Sequence, residues 1–193
     1  GYEGGLRVSM YQTHILKNGL KVIHQQVDGK AAWCGLIIGV GSRDERPEEE
    51  GIAHFIEHVI FKGTEKRKAF HILSRIEDVG GELNAYTTKE DTCIYASFLA
   101  RDYERALELF ADIVFHSVFP EKEIEKEKEV VIDEINSYKD SPGELIFDDF
   151  ENLIFCGHPL GRNILGEAGR LRGFRSEDIQ RFARRLYRPD RMV

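Results

Sequence analysis

The stretch IAHFIEHVIF, residues 52–61, constrains this chain more than any other. Ile52, Phe55, Ile56 and Val59 recur at helical spacing, so the segment reads as a helix with one buried face. The same few residues hold His54, Glu57 and His58. Positions four apart lie on one side of a helix, so His54 and His58 point the same way and Glu57 faces the same region. Either the three form part of a metal site, or they are a polar patch on a helix. Imidazole is a natural zinc ligand, and Glu57 is placed to reach a water on a metal without being a ligand itself. H-x-x-E-H is the inverted form of the zinc-protease helix motif. Chance alone produces it in roughly 3% of chains of this length and composition. Two histidines also do not complete a catalytic zinc site, which needs a third protein ligand and an open position.

The rest of the chain frames this helix. YQTHIL and KVIHQ flank KNGL, where Asn18-Gly19 signals a tight hairpin turn. AAWCGLIIGV reads as a strand with too little alternation to be half exposed, so both its faces are expected to be covered. GSRDERPEEE is a loop. The motif helix is expected to start near Glu49 or Glu50, its glutamate-rich first turn facing the positive end of the dipole, and to stop before Gly63. A second helix covers about Phe70–Val79. ELNAYT and TCIYASFL are two strands joined by TKED. Helices follow over about Asp102–Phe115, Glu121–Tyr138 and Gly143–Phe155, and a last one is expected to be capped by Ser176. Strands and helices mix without βαβ alternation. The fold class is therefore α+β, with helices packed on one face of a largely antiparallel sheet. Residues 1–193 read as a single domain. The closing RPDRMV resembles a strand just beginning, as in a fragment of something longer.

Composition narrows the function. A net charge of -7, with no basic stripe, argues against nucleic acid as a partner. No apolar run approaches the roughly 18 residues of a membrane span. GYEGG reads as a flexible lead, not a signal peptide. Cys34, Cys93 and Cys156 are far apart, odd in number and form no CxxC pair, which fits reduced thiols buried as small apolar groups.

The run EKEIEKEKEVVIDEI offers the missing ligand. Most of it reads as a solvated helix of alternating charge. Ile124, Val131, Ile135 and Tyr138 form its apolar stripe, and Glu127 and Glu134, two turns apart, flank that stripe on one side. A carboxylate at the edge of a buried face needs a partner. Lys122, Lys126 and Lys128 are expected to stay in water.

Taken together, HFIEHVIFKGT, Glu134 lying 76 residues beyond His58, Glu127 seven before it, GVGSRDE, GGELNAYTTKEDT and HPLGRNILG resemble the pitrilysin family of zinc peptidases, in its mitochondrial processing peptidase branch. The resemblance runs from about Thr13 to Val193, and departures such as Ile60 and Asn163 touch no ligand. It implies an α/β roll that occurs in pairs. It further implies one zinc per chain held by His54, His58 and Glu134, Glu57 as general base, and Glu127 supporting a ligand histidine. Asn84 and Ala85 would lie on an edge strand that holds a peptide backbone. A homologous C-terminal half or partner subunit would complete the active unit, and a homodimer is a further option. The expected activity is cleavage of extended peptides. The alternative is a non-catalytic peptide-binding or assembly subunit, although such relatives typically lack parts of the zinc motif. A cytoplasmic location is expected, with the mitochondrial matrix and the periplasm as alternatives.

Overall fold

The fold starts with the hairpin. Gln12–Ile15 (β1) and Lys21–His24 (β2) pair antiparallel, and Gly19 turns the chain at φ 91°. The structure, a computed structural model, describes residues 11–193. The flexible lead expected at Gly1–Gly5 lies outside the described residues.

A second sheet carries the core. Ala31–Ile38 (β3), Thr92–Leu99 (β5) and Glu82–Thr87 (β4) lie in the order β3-β5-β4, all antiparallel. Alternation sends Leu36, Ile38, Ile94, Ala96 and Phe98 to one face, where they are buried. Among the described residues there are seven α-helices, the first two lying between β3 and β4 in the chain: Ile52–Val59 (α1), Ala69–Glu77 (α2), Tyr103–Phe115 (α3), Glu121–Lys139 (α4), Pro142–Ile154 (α5), Ala168–Leu171 (α6) and Ser176–Leu186 (α7). α3 packs on β3 and β5, while α1 lies against β4, α4 and α7. Phe55, Ile56 and Ile52 of α1 are fully buried in the same core that holds Ile94, Ile124 and Phe182. Burying a side chain of this size contributes roughly 1.5–3 kcal/mol, so α1 is fixed by its own packing. The α+β class and the antiparallel sheet are as the pattern implies.

Several expectations change. The strand AAWCGLIIGV is half exposed: Trp33, at 72%, and Ile37 stand on the outer face of the sheet beside Tyr86, Tyr95 and Leu99. Sequence alone reads the apolar run as covered twice because tryptophan and isoleucine look the same on either face. Lys128 is buried, its Nζ 2.6 Å from Glu125 and donating to the Arg172 carbonyl at 3.0 Å. Ser176 does not cap α7. The cap position is Arg175, whose N–H donates to Asp178, and Ser176 instead donates to the Val118 carbonyl. Cys156 is exposed, unlike Cys93. The closing residues do behave as strand: Val193 exchanges two hydrogen bonds with Ile37, and Met192 bridges to Ile38.

Candidate metal centre

α1 begins later than its glutamates suggest. Gly51, at φ 94°, precedes the first helical residue, and no acid lies in the first turn. Glu49 instead makes a two-pronged contact with Arg185 of α7 at 2.6 and 2.7 Å, and Glu50 pairs with Arg162 at 3.4 Å. The free amides of the helix start are taken by Glu45, a buried residue that accepts from Ala53 N–H at 2.9 Å and Gly51 N–H at 3.2 Å. Burial pushes its carboxyl up to about 8, against the pull of those two amides and of Arg162. The loop around residue 165 presses on the same point. A Cβ on Gly51 would meet the Leu165 carbonyl oxygen at 2.8 Å, and one on Gly166 would meet the Glu50 carbonyl oxygen at 2.7 Å. Two glycines thus let two backbones touch where the motif helix starts.

So anchored, α1 presents His54 and His58 to α4. Their rings meet edge-on with centroids 4.8 Å apart. Glu134 faces both: one oxygen is 3.6 Å from His54 Nε2 and the other 3.4 Å from His58 Nε2. One ligand atom from each residue falls within 4.8 Å of the others. Two atoms bound at about 2.0–2.1 Å to a tetrahedral zinc stand roughly 3.3–3.4 Å apart. The histidine–carboxylate spacings, one to each Glu134 oxygen, are close to that separation, so the group could hold one ion.

Electrostatics point the same way. Burial, and secondarily His58, hold His54 down at about 4, so at neutral pH its imidazole is uncharged. A neutral imidazole at 3.6 Å from a carboxylate is not an ion pair; a cation between them would satisfy both lone pairs. Glu134, at 44% exposure, keeps the site open on one side. His54 Nδ1, in contrast, is buried without a hydrogen-bond partner among the described residues.

Glu57 sits on the same side of α1. Burial raises its carboxyl above the usual range and the Glu134 charge adds to this, while Thr87 and His58 oppose it. The Thr87 hydroxyl acts at close range although it completes no hydrogen bond of good geometry. Glu127 approaches His58 Nδ1 at 3.4 Å, on the ring edge away from Glu134. Asn84 and Ala85 lie on β4, which pairs only with β5 among the described residues and so leaves one edge free. Asn84 is exposed on the outer face, and Ala85 packs inward against the core. Sequence reasoning missed Glu45, Arg162, Lys62 and the Gly51–Gly166 contact. The only available signal was that they fall in or beside the quoted motifs.

A mixed α+β domain whose H-x-x-E-H helix faces a glutamate on a neighbouring helix is a metallopeptidase-type domain. The chain belongs to the insulinase family, peptidase family M16, which it matches over residues 21–168. It is 38% identical over 185 residues to an uncharacterized zinc protease of Bacillus subtilis, covering 95% of this chain and 45% of that protein. It is 40% identical over 179 residues to a protein of Arabidopsis thaliana named as probable mitochondrial-processing peptidase subunit beta, covering 92% and 34%. A solved protease from Helicobacter pylori superposes with a TM-score of 0.90 at 27% identity, over 96% of this chain and 45% of that one. The chain thus spans less than half the length of these relatives. No helix among the described residues is long and apolar enough to cross a membrane.

Proposed function

We propose that this chain carries the metal centre of a zinc-dependent endopeptidase that cleaves extended peptides. The observation that carries the reading is the pair of 3.4 and 3.6 Å approaches of Glu134 to the two Nε2 atoms. In this reading His54, His58 and Glu134 hold one zinc per chain, which when bound supplies the Lewis acidity that brings a water toward neutral pKa. Glu57 would serve as the general base, holding a proton on its carboxylate and handing it to the leaving amine. Its half-buried position supports the role, because a carboxyl raised by desolvation is a stronger base once ionised. Glu127 orients the His58 ring from its Nδ1 side. The free edge of β4 at Asn84 and Ala85 accepts an extended peptide as an added strand, which excludes folded segments. A homologous second half, or a partner subunit, covers the site; the protein named as a processing peptidase subunit supports the idea of partnership.

Metal analysis after loading and dialysis tests the core of this reading. The expected result is about one zinc per chain, with strong loss in His54→Ala, His58→Ala and Glu134→Gln. A parent chain without zinc, or Glu134→Gln holding zinc as the parent does, would overturn it.

A further inference from the structure

Lys62 lies one turn beyond His58, just past the end of α1, and the motif reading gives it no task. Its Nζ stands 2.9 Å from Glu127 Oε1. The other carboxylate oxygen, Oε2, stands 3.4 Å from His58 Nδ1, and His58 Nε2 stands 3.4 Å from Glu134. Ammonium, carboxylate, imidazole and ligand carboxylate form one connected line running from the partly exposed end of α1 to the metal centre. We propose that Lys62 is a positioning residue of that centre, acting on His58 through Glu127. The inference rests on the metal-centre reading above.

The physical case begins with Glu127. Its side chain is only 13% exposed. A carboxylate so enclosed needs its charge answered, and His58 is a neutral partner whenever it serves as a ligand. Among the described residues, Lys62 is the cation paired with Glu127. By holding Oε1 it also fixes the plane of the carboxylate, so that Oε2 is aimed at Nδ1 and sets which nitrogen of His58 turns to the metal. Without Lys62 to hold Oε1, Glu127 is free to swing toward water, which removes the partner from Nδ1.

A competing effect has the opposite sign. Lys62 is a positive charge near a site for a dication, so its removal would tighten binding by Coulomb's law. Lys62 is partly exposed at 31%, and Glu127 already offsets its charge at contact distance. The repulsive effect is therefore screened, and the positioning effect dominates. The direction of the change separates the two.

The experiment is zinc affinity by chelator competition at fixed pH and ionic strength, for the parent, Lys62→Met, Lys62→Gln, Lys62→Arg, Glu127→Gln and Lys62→Met/Glu127→Gln. Lys62→Met and Lys62→Gln should each weaken binding by roughly ten-fold, the lower end for a residue supporting a ligand histidine. Lys62→Arg, which keeps the charge and its reach, should restore most of the loss. In the Glu127→Gln background, Lys62→Met should weaken binding no further and, with the offsetting carboxylate gone, should tighten it slightly. Melting of the metal-free proteins identifies any variant that does not fold, and the two neutral variants carry the same expectation. Parent-like or tighter binding by the folded neutral variants overturns the proposal, as does an effect that adds to that of Glu127→Gln. If the parent itself takes up no zinc, the metal-centre reading falls, and this inference falls with it.

Discussion

At the scale of single residues, identical side chains differ in role because they meet different neighbours. Glu57 and Glu134 both face the centre, yet Glu134 alone stands at ligand distance from both histidines. Glu57→Gln should therefore keep zinc and lose peptide cleavage in the full-length protein, because the amide is nearly isosteric but cannot accept a proton. Zinc content and turnover measured on the same preparation check this; near-normal turnover would remove Glu57 from the base role. Glu127 should matter less than the ligands and more than its charged neighbours. Glu127→Gln is expected to reduce metal affinity by roughly 10 to 100-fold. The suitable comparison on α4 is exposed Glu129, since Glu125 holds the buried Lys128. If Glu129→Gln and Glu127→Gln behave alike in one assay, Glu127 is no more than part of the charged surface.

At the scale of elements, the entry to α1 decides where its histidines point. Two features set that entry: the close backbone contact of Gly51 with Gly166, and the Glu45 cap. Gly51→Ala places a Cβ against the Leu165 carbonyl oxygen at a left-handed φ, so it should cost at least about 1–3 kcal/mol. Urea unfolding of parent and variant measures the difference, and a shift under about half a kcal/mol would show that the contact yields. Near neutral pH the Glu45 carboxyl is largely protonated, so Glu45→Gln keeps its one carbonyl acceptor and should change stability by less than about 1 kcal/mol. Because burial lifts the Glu45 carboxyl to about 8, the folded chain holds its proton more tightly than the unfolded one. The stability it contributes is complete below about pH 4.5 and declines as pH rises through about 8. Glu45→Gln should flatten that decline. An unchanged stability–pH curve between parent and variant would show that Glu45 does not cause it.

At the scale of the whole molecule, two apolar faces lack partners among the described residues. One is the outer sheet face around Trp33, Tyr86 and Tyr95. The other is α5, where Phe147, Phe150 and Leu153 stand out, Leu153 at 78%. Contiguous apolar surface of this kind marks a place of contact. The isolated chain should therefore self-associate with rising concentration, as sedimentation would record, and a strictly monomeric chain at high concentration would speak against these faces as contacts. It should also cleave an unstructured peptide poorly even when loaded with zinc, because an open site holds the peptide on one side and leaves water around the reacting atoms. Adding a homologous second half should raise turnover. Full activity from residues 1–193 alone would show that no second half is needed.

Much of this protein is legible one segment at a time. The helical spacing in IAHFIEHVIF, the Asn18-Gly19 turn, the alternation of β4 and the two-turn offset of Glu127 from Glu134 are local regularities, because backbone geometry repeats over a few residues. They determined most of the elements, the α+β class and the candidates His54, Glu57, His58, Glu127 and Glu134, whose roles the family resemblance implied. Three matters depended on residues far apart in the chain. The glutamates before α1 went to Arg185 and Arg162 instead of the helix dipole, because long ionic side chains reach across space and sequence records no distances. Trp33 and Ile37 came to lie on an open face, because covering a strand depends on which other elements arrive there. Lys62 found Glu127 across 65 positions, and Glu45 found the amides of α1, because a buried charge or a bare helix end takes whatever partner the packing delivers.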